Sequence, residues 1–388
     1  MTANSQSSYS QADDRLDVLL ERLARELTLE KEEEIAQLFN DALSYRRVAR
    51  LPVVVSCPAP PEGEIAPYPH SQAVTDPAMM LFNELVSAWG TSIVRRREVG
   101  DDLPVTVRAN FGTVLVASCF GAPVEQPGDD PAWVRHFESR VEFVAAMGNE
   151  IDVTNGASSL VARAVEFMEY YHAKLSEFPP LDQIIKITIP DLQGPLDNSG
   201  LLRGSEIFLD IVTDPELFAL ALGRVAEVQI DLWKLFNRHT KNEVEKQTHQ
   251  HGVAISGNIL LRNDSTILVS PDRYIEAIGP WDQHVLAAVG GGAIHSCGSF
   301  EHQVKPFLDL PSIKALDFGE SEKNDVDLIY EMASTRKIPL LRIRVSREEL
   351  VKGDVTKRFP TGVVLIHDAG SPQEARRTME GYFAASDI

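Results

Sequence analysis

The order of short apolar runs and helical stretches predicts an α/β fold. Its form is a (β/α)8 (TIM) barrel with additional N-terminal helices. Two observations carry this. From Leu181 onward, strand-like and helix-like stretches alternate, and βα units build a parallel sheet. About eight strand candidates occur along the chain, the number a closed barrel needs. An open doubly wound sheet is the alternative. No internal repeat or low-complexity segment stands out.

In chain order, residues 1–12 are polar and expected to be disordered. Charged amphipathic helices follow over Ala12–Leu27 and Leu29–Ala49, so that residues 13–50 pack on one barrel domain spanning 51–388. Leu51–Ser56 reads as the first strand, followed by a proline-laden loop. Asp76-Pro77 opens a helix running to about Trp89, with proline in its first turn. Val105–Ala109 and Thr113–Ser118 are short strand-like runs, and helix dominates from Trp133 to Phe178, broken near Asn155-Gly156. Ile184–Ile189 is strongly β-type. Thr213-Asp214-Pro215-Glu216 combines a cap, a first-turn proline and an acid ahead of the helix Leu217–Arg238. Val253–Leu261, Gly292–Cys297, Ala315–Phe318, Leu340–Val345 and Gly362–His367 are further extended runs. Helices start at Ser270-Pro271, Asp325 and Pro372.

Composition narrows the function. Hydrophobic residues make up 44% and charged residues 24%, as in a folded soluble protein. A net charge of -20, spread along the chain, repels nucleic acid and anionic membrane. No apolar run is long enough to span a bilayer, and the N-terminus lacks the apolar core of a secretory signal. Three cysteines, Cys57, Cys119 and Cys297, are too few for a disulfide framework. A cytoplasmic location is expected.

Ile294-His295-Ser296-Cys297-Gly298 is the most informative segment. On a strand, residues two apart share a face, so His295 and Cys297 project side by side. Imidazole and thiolate are ligands that zinc accepts. The plainer reading is a buried histidine beside an inert thiol. His367 and Asp368 close another strand and offer a third nitrogen or oxygen ligand, although Asp368 also suits a helix cap. His249 and His251 form a second pair, read either as solvated or as a metal or proton-shuttle site. Asp191 and Gln193 end a strand, where barrels carry their chemistry, so they are candidate catalytic residues. Asp264 is a candidate pocket acid or a turn residue. Arg203 either clamps a substrate carboxylate or pairs with Glu206. Tyr274 and Trp281 read as core. Asp317-Phe318-Gly319 matches a kinase magnesium motif by chance, since no phosphate loop or catalytic loop accompanies it. Arg95-Arg96-Arg97, followed by Glu98, Asp101 and Asp102, reads as a neutralised surface turn.

From about Ile184 to the C-terminus, several segments together resemble the uroporphyrinogen decarboxylase superfamily. They are Pro190-Asp191-Leu192-Gln193-Gly194-Pro195, Leu201-Leu202-Arg203-Gly204, Asp210–Leu217, Asp264 with Leu268–Pro271, Ile294–Gly298 and Pro311–Gly319. That group holds the haem-pathway decarboxylase and zinc-dependent methyltransferases that use methyl-corrinoid proteins. The resemblance implies zinc ligands at His295 and Cys297. The chain departs from both branches. It lacks the early arginine-rich loop of the decarboxylase, and it has no cysteine after Cys297 to serve as the methyltransferases' third ligand.

Three activities follow as expectations. The first is zinc-dependent methyl transfer from a corrinoid protein to a thiol, with metal ligands among His295, Cys297 and His367. The second is a metal-independent decarboxylase or lyase using Asp191 and a histidine, with Arg203 essential. The third is a barrel that only binds a ligand. A small-molecule substrate is expected throughout.

Overall fold

The computed structural model describes residues 3–57, 63–87, 93–155, 158–240, 247–250 and 252–386. Eight parallel strands in chain order form the framework: β1 (Val53–Ser56), β2 (Thr106–Arg108), β3 (Lys186–Thr188), β4 (Leu260–Arg262), β5 (Gly292–Ser296), β6 (Ile313–Phe318), β7 (Leu340–Arg344) and β8 (Val363–Asp368). Six of them make one sheet in the order β1-β8-β7-β6-β5-β4, while β2 and β3 pair separately. β5 and β6 are buried almost throughout, as strands covered on both faces must be.

The expected closed barrel is therefore corrected in one respect. Among the described residues, the strand ladder does not run from β1 to β2 or from β3 to β4. At the first seam one backbone bond, Asp102 N–H to Val53 O at 2.9 Å, is joined by side-chain bonds in place of a ladder. Val53 N–H donates to Asp102 Oδ2 at 3.0 Å and Val55 N–H to Asp101 Oδ2 at 2.8 Å. Arg50 holds Asp102 with a two-pronged contact of 2.5 and 2.7 Å. Asp101 and Asp102 are thus buried strand-edge acceptors rather than parts of a surface turn, and Arg96 is buried against Glu32.

The N-terminal helices span Ala3–Glu26 and Leu29–Leu43, the first starting well ahead of the expected Ala12. Leu16, Leu19, Leu20 and Leu23 recur at helical spacing and lie buried in the core. Several other boundaries follow the expected chemistry. Asp214 accepts from Leu217 N–H at the start of Pro215–Asn237, Ser270 caps Pro271–Arg273, and Asp325 caps Val326–Ser334. The run at Thr113–Ser118 is not a strand but lies across a helix, Leu115–Cys119, buried at every position. Its apolar residues carry no alternation, so length alone could not separate buried helix from buried strand.

The glycine run before β5 has a steric cause. Gly291 adopts φ 100°, and a Cβ on Gly292 would stand 2.3 Å from Ile259 O. These residues let β5 approach the chain entering β4, which fixes where His295 comes to lie. Among the described residues, no helix is long and apolar enough to cross a membrane.

Candidate metal centre

His295 sits on β5 opposite Asp317 on β6, in the parallel register that also pairs Arg262 of β4 with His295. Both side chains are buried, His295 to 2% exposure and Asp317 to 0%. His295 Nδ1 lies 2.7 Å from Asp317 Oδ2. A carboxylate oxygen only accepts, so this contact requires the proton on Nδ1 and leaves the Nε2 lone pair facing outward. Arg342 of β7 grips Asp317 through Nε at 2.8 Å and Nη2 at 3.0 Å, and its Nη2 is 2.9 Å from His295 Nδ1.

On the Nε2 side stand two further donors. Cys297 Sγ lies 3.4 Å from Nε2, and Asp264 Oδ1 lies 3.4 Å from it. Cys297 N–H donates to Asp264 Oδ1 at 2.8 Å, which ties the loop after β4 to the end of β5. One ligand atom from each of Asp264, His295 and Cys297 falls within 4.8 Å of the others. A nitrogen, a sulfur and a carboxylate oxygen are a donor set that zinc takes, with a position left open for substrate. Burial and the neighbouring Asp264 carboxylate push the Cys297 thiol up to about 11. Without a cation the thiolate is scarcely populated at neutral pH, and a bound cation reverses that.

A polar wall continues from this centre. Arg262 Nη1 donates to Asp191 Oδ2 at 2.8 Å, and its Nη2 lies 3.6 Å from Asp264 Oδ2. Arg108, at the end of β2, stands 3.9 Å from both Asp191 and Glu84. Gln193 adopts φ 49°, a conformation costly for a residue with a Cβ. It is held by its own N–H on Asp191 Oδ1 at 3.1 Å and by Gln229 Nε2 donating to its carbonyl at 2.7 Å. Its Oε1 is buried without a partner. Behind Asp264, Ser265 N–H donates to Asp197 at 3.0 Å, and burial pushes Asp197 up to about 7.

Of the residues singled out from sequence, His295, Cys297 and Asp264 converge, and Asp191 and Gln193 border them through Arg262. Two do not join. His367 lies on the β8 face opposite Asp368, which bonds Arg344 at 2.6 Å, and its Nδ1 meets Val345 O at 3.0 Å. Its Nε2 is buried, and the group whose ligand atoms fall within 4.8 Å of one another takes in the Asp264 oxygen and not His367. Arg203 donates to Asp210 Oδ2 at 3.0 Å and stacks over Phe143, 5.6 Å from the ring centroid, so the acid it pairs with is Asp210 and not Glu206. His251 lies outside the described residues, and of His249 only the backbone in Gln247–Gln250 is described. Tyr274 is core, as expected, and Trp281 is a partly buried residue packed against the core. Sequence reasoning missed Asp317, Arg342, Arg262 and Arg108. A signal existed for Arg262, the one charged residue of the short strand Leu260–Arg262, and a weaker one for Arg108 and Arg342, which share their strands with Thr106 and with Arg344.

No protein-family model matches the chain. Nor does any curated protein. Its fold is similar to that of a solved methyltransferase from Methanosarcina mazei, with a TM-score of 0.59, covering 91% of this chain and 98% of that one. Sequence identity over the match is 16%, so the likeness is one of fold, an α/β architecture with a methyltransferase among its members.

Proposed function

We propose that the protein is a zinc-dependent methyltransferase of the uroporphyrinogen decarboxylase superfamily. It moves a methyl group from a methyl-corrinoid protein to a thiol. The observation that carries this reading is the convergence of Asp264, His295 and Cys297. Asp264 takes the place of the cysteine that the chain lacks after Cys297. When bound, zinc supplies the positive charge that lowers the pKa of a substrate thiol. Asp264 and Cys297 contribute two negative charges as ligands, and a carboxylate oxygen donates less electron density than a second thiolate. The chain's own residues do the rest. Asp317 orients the imidazole. Arg262 and Asp191 border the open side and position the substrate's polar groups.

A second reading rests on a specific observation, because Cys297, His295 and Asp317 stand in the order of a cysteine–histidine–aspartate triad. Two features weigh against it. Arg342 already neutralises Asp317, removing the charge that would stabilise an imidazolium. Asp264 presses a second negative charge on the thiol. A metal-independent decarboxylase is less favoured still, since Arg203 is committed to Asp210 and Asp191 to Arg262.

Metal analysis by inductively coupled plasma mass spectrometry tests the proposal. About one zinc per chain is expected in the wild type and in His367→Asn, and almost none in Cys297→Ser or His295→Asn. Zinc-loaded protein should then demethylate methylcobalamin in the presence of a thiol, while the two ligand variants do not. A wild type devoid of metal after incubation with zinc would reject the reading.

A further inference from the structure

We infer that Arg342 is a positioning residue of the metal centre, resting on the reading just given: it fixes the His295 ring so that Nε2, and not Nδ1, faces Asp264 and Cys297. Three observations support this. The Arg342 guanidinium engages both oxygens of Asp317, at 2.8 and 3.0 Å, with the planar two-pronged geometry that sets a carboxylate's rotation. In that rotation Oδ2 points at Nδ1 from 2.7 Å. The same Arg342 Nη2 stands 2.9 Å from Nδ1, so the guanidinium abuts the ring edge; with the proton on Nδ1 both nitrogens are donors and this approach is a contact, not a hydrogen bond. A ring flipped by half a turn would present a C–H to the carboxylate and lose the contact.

The backbone is arranged for this at a cost. Arg342 adopts φ 60°, in the left-handed region that residues with a Cβ avoid. The pairing of β7 with β8 shifts register between Leu340 and Ile343, across this residue. Such an irregularity re-aims a side chain beside a site. Asp317 is wholly buried, so its charge needs a partner, but a lysine would meet that need without the fork or the strained turn. The geometry therefore serves direction as well as charge.

The test uses full-length protein carrying Arg342→Lys or Arg342→Gln, in two arms. In metal-free protein labelled with 15N-histidine, a His295→Asn variant assigns the ring. The wild type should show one slowly exchanging, hydrogen-bonded Nδ1–H, and both Arg342 variants should show a ring averaging between its two tautomers. In the second arm, competition with a chromophoric chelator should give zinc Kd values raised about 10–100-fold in both variants. In cobalt-substituted samples the thiolate-to-metal charge-transfer band of Cys297 should persist. An unchanged ring signal in Arg342→Lys overturns the inference, because charge alone would then suffice. So do zinc Kd values within about twofold of the wild type in both variants. If the ring behaves as stated but wild-type protein binds no zinc, it is the metal reading that fails, and the assignment of ring orientation to Arg342 stands.

Discussion

Replacing Asp282 with Asn should flatten the pH dependence of stability, by an amount the structure allows to be worked out. Asp282 is fully buried behind the metal centre. It accepts from Tyr274 OH at 2.7 Å and from Asn263 Nδ2 at 2.5 Å, while its Oδ1 has no partner. Burial pushes its carboxyl up to about 7. The folded state therefore holds this proton more tightly than the unfolded chain, whose aspartates titrate near 3.9. The associated stability, about 4 kcal/mol, is fully present below the unfolded pKa and is lost as pH rises through the folded one. Between about pH 5 and pH 8, one such group loses about 2–3 kcal/mol. Asp101 and Asp197, also buried and pushed to about 7, act in the same direction. Stability should thus fall across this window in the wild type and fall by roughly a third less in Asp282→Asn. Asparagine keeps both accepted bonds at one oxygen, so its fixed cost is about 1 kcal/mol. Urea midpoints at several pH values measure both. Parallel curves for the two proteins would show that Asp282 is ionised in the folded state at neutral pH, and the reasoning would be wrong.

Three further outcomes are expected. A Cβ at Gly194 would stand 1.7 Å from Asn263 Oδ1, so Gly194→Ala should cost about 1–3 kcal/mol in urea unfolding and weaken zinc binding through the neighbouring Asp264. Asp191→Asn leaves Arg262 without its nearest carboxylate and should destabilise by about 3 kcal/mol, much of it restored when Arg262→Met is added in a double-mutant cycle. Arg203→Met should leave zinc content and methyl-transfer rate unchanged while lowering the melting temperature, since its partners are Asp210 and Phe143. A loss of turnover without loss of stability would restore it as a substrate clamp.

The sequence was most informative where local chemistry decides. Caps such as Asp214 and Ser270, the strand carrying His295, and the shared face of His295 and Cys297 all depend on neighbours a few residues away. It was least informative where partners come from distant strands. Asp317 meets His295 only because β6 lies beside β5, and Asp264 arrives from the loop after β4. His367 came near the end of its strand as expected, yet it is Asp264 that joins His295 and Cys297 in the group of close ligand atoms. Which strand ends stand near one another depends on sheet order and register, and an apolar run reveals neither. Asp101 and Asp102 looked like surface charge because nothing local announces that a strand edge awaits them.

The two seams of the framework divide the protein mechanically. Every group of the proposed metal centre, Asp264, His295 and Cys297 with Asp317 and Arg342, belongs to the six-stranded sheet or to a loop leaving one of its strands. Arg108 ends a strand of the smaller pair, and Asp191 and Gln193 follow the other, so they reach the centre across seams that no strand ladder bridges. A continuous ladder fixes the spacing of its strands residue by residue, and across the two seams that constraint is absent among the described residues. The proposed metal ligands therefore share one continuous ladder, while the residues across the mouth from them stand on another.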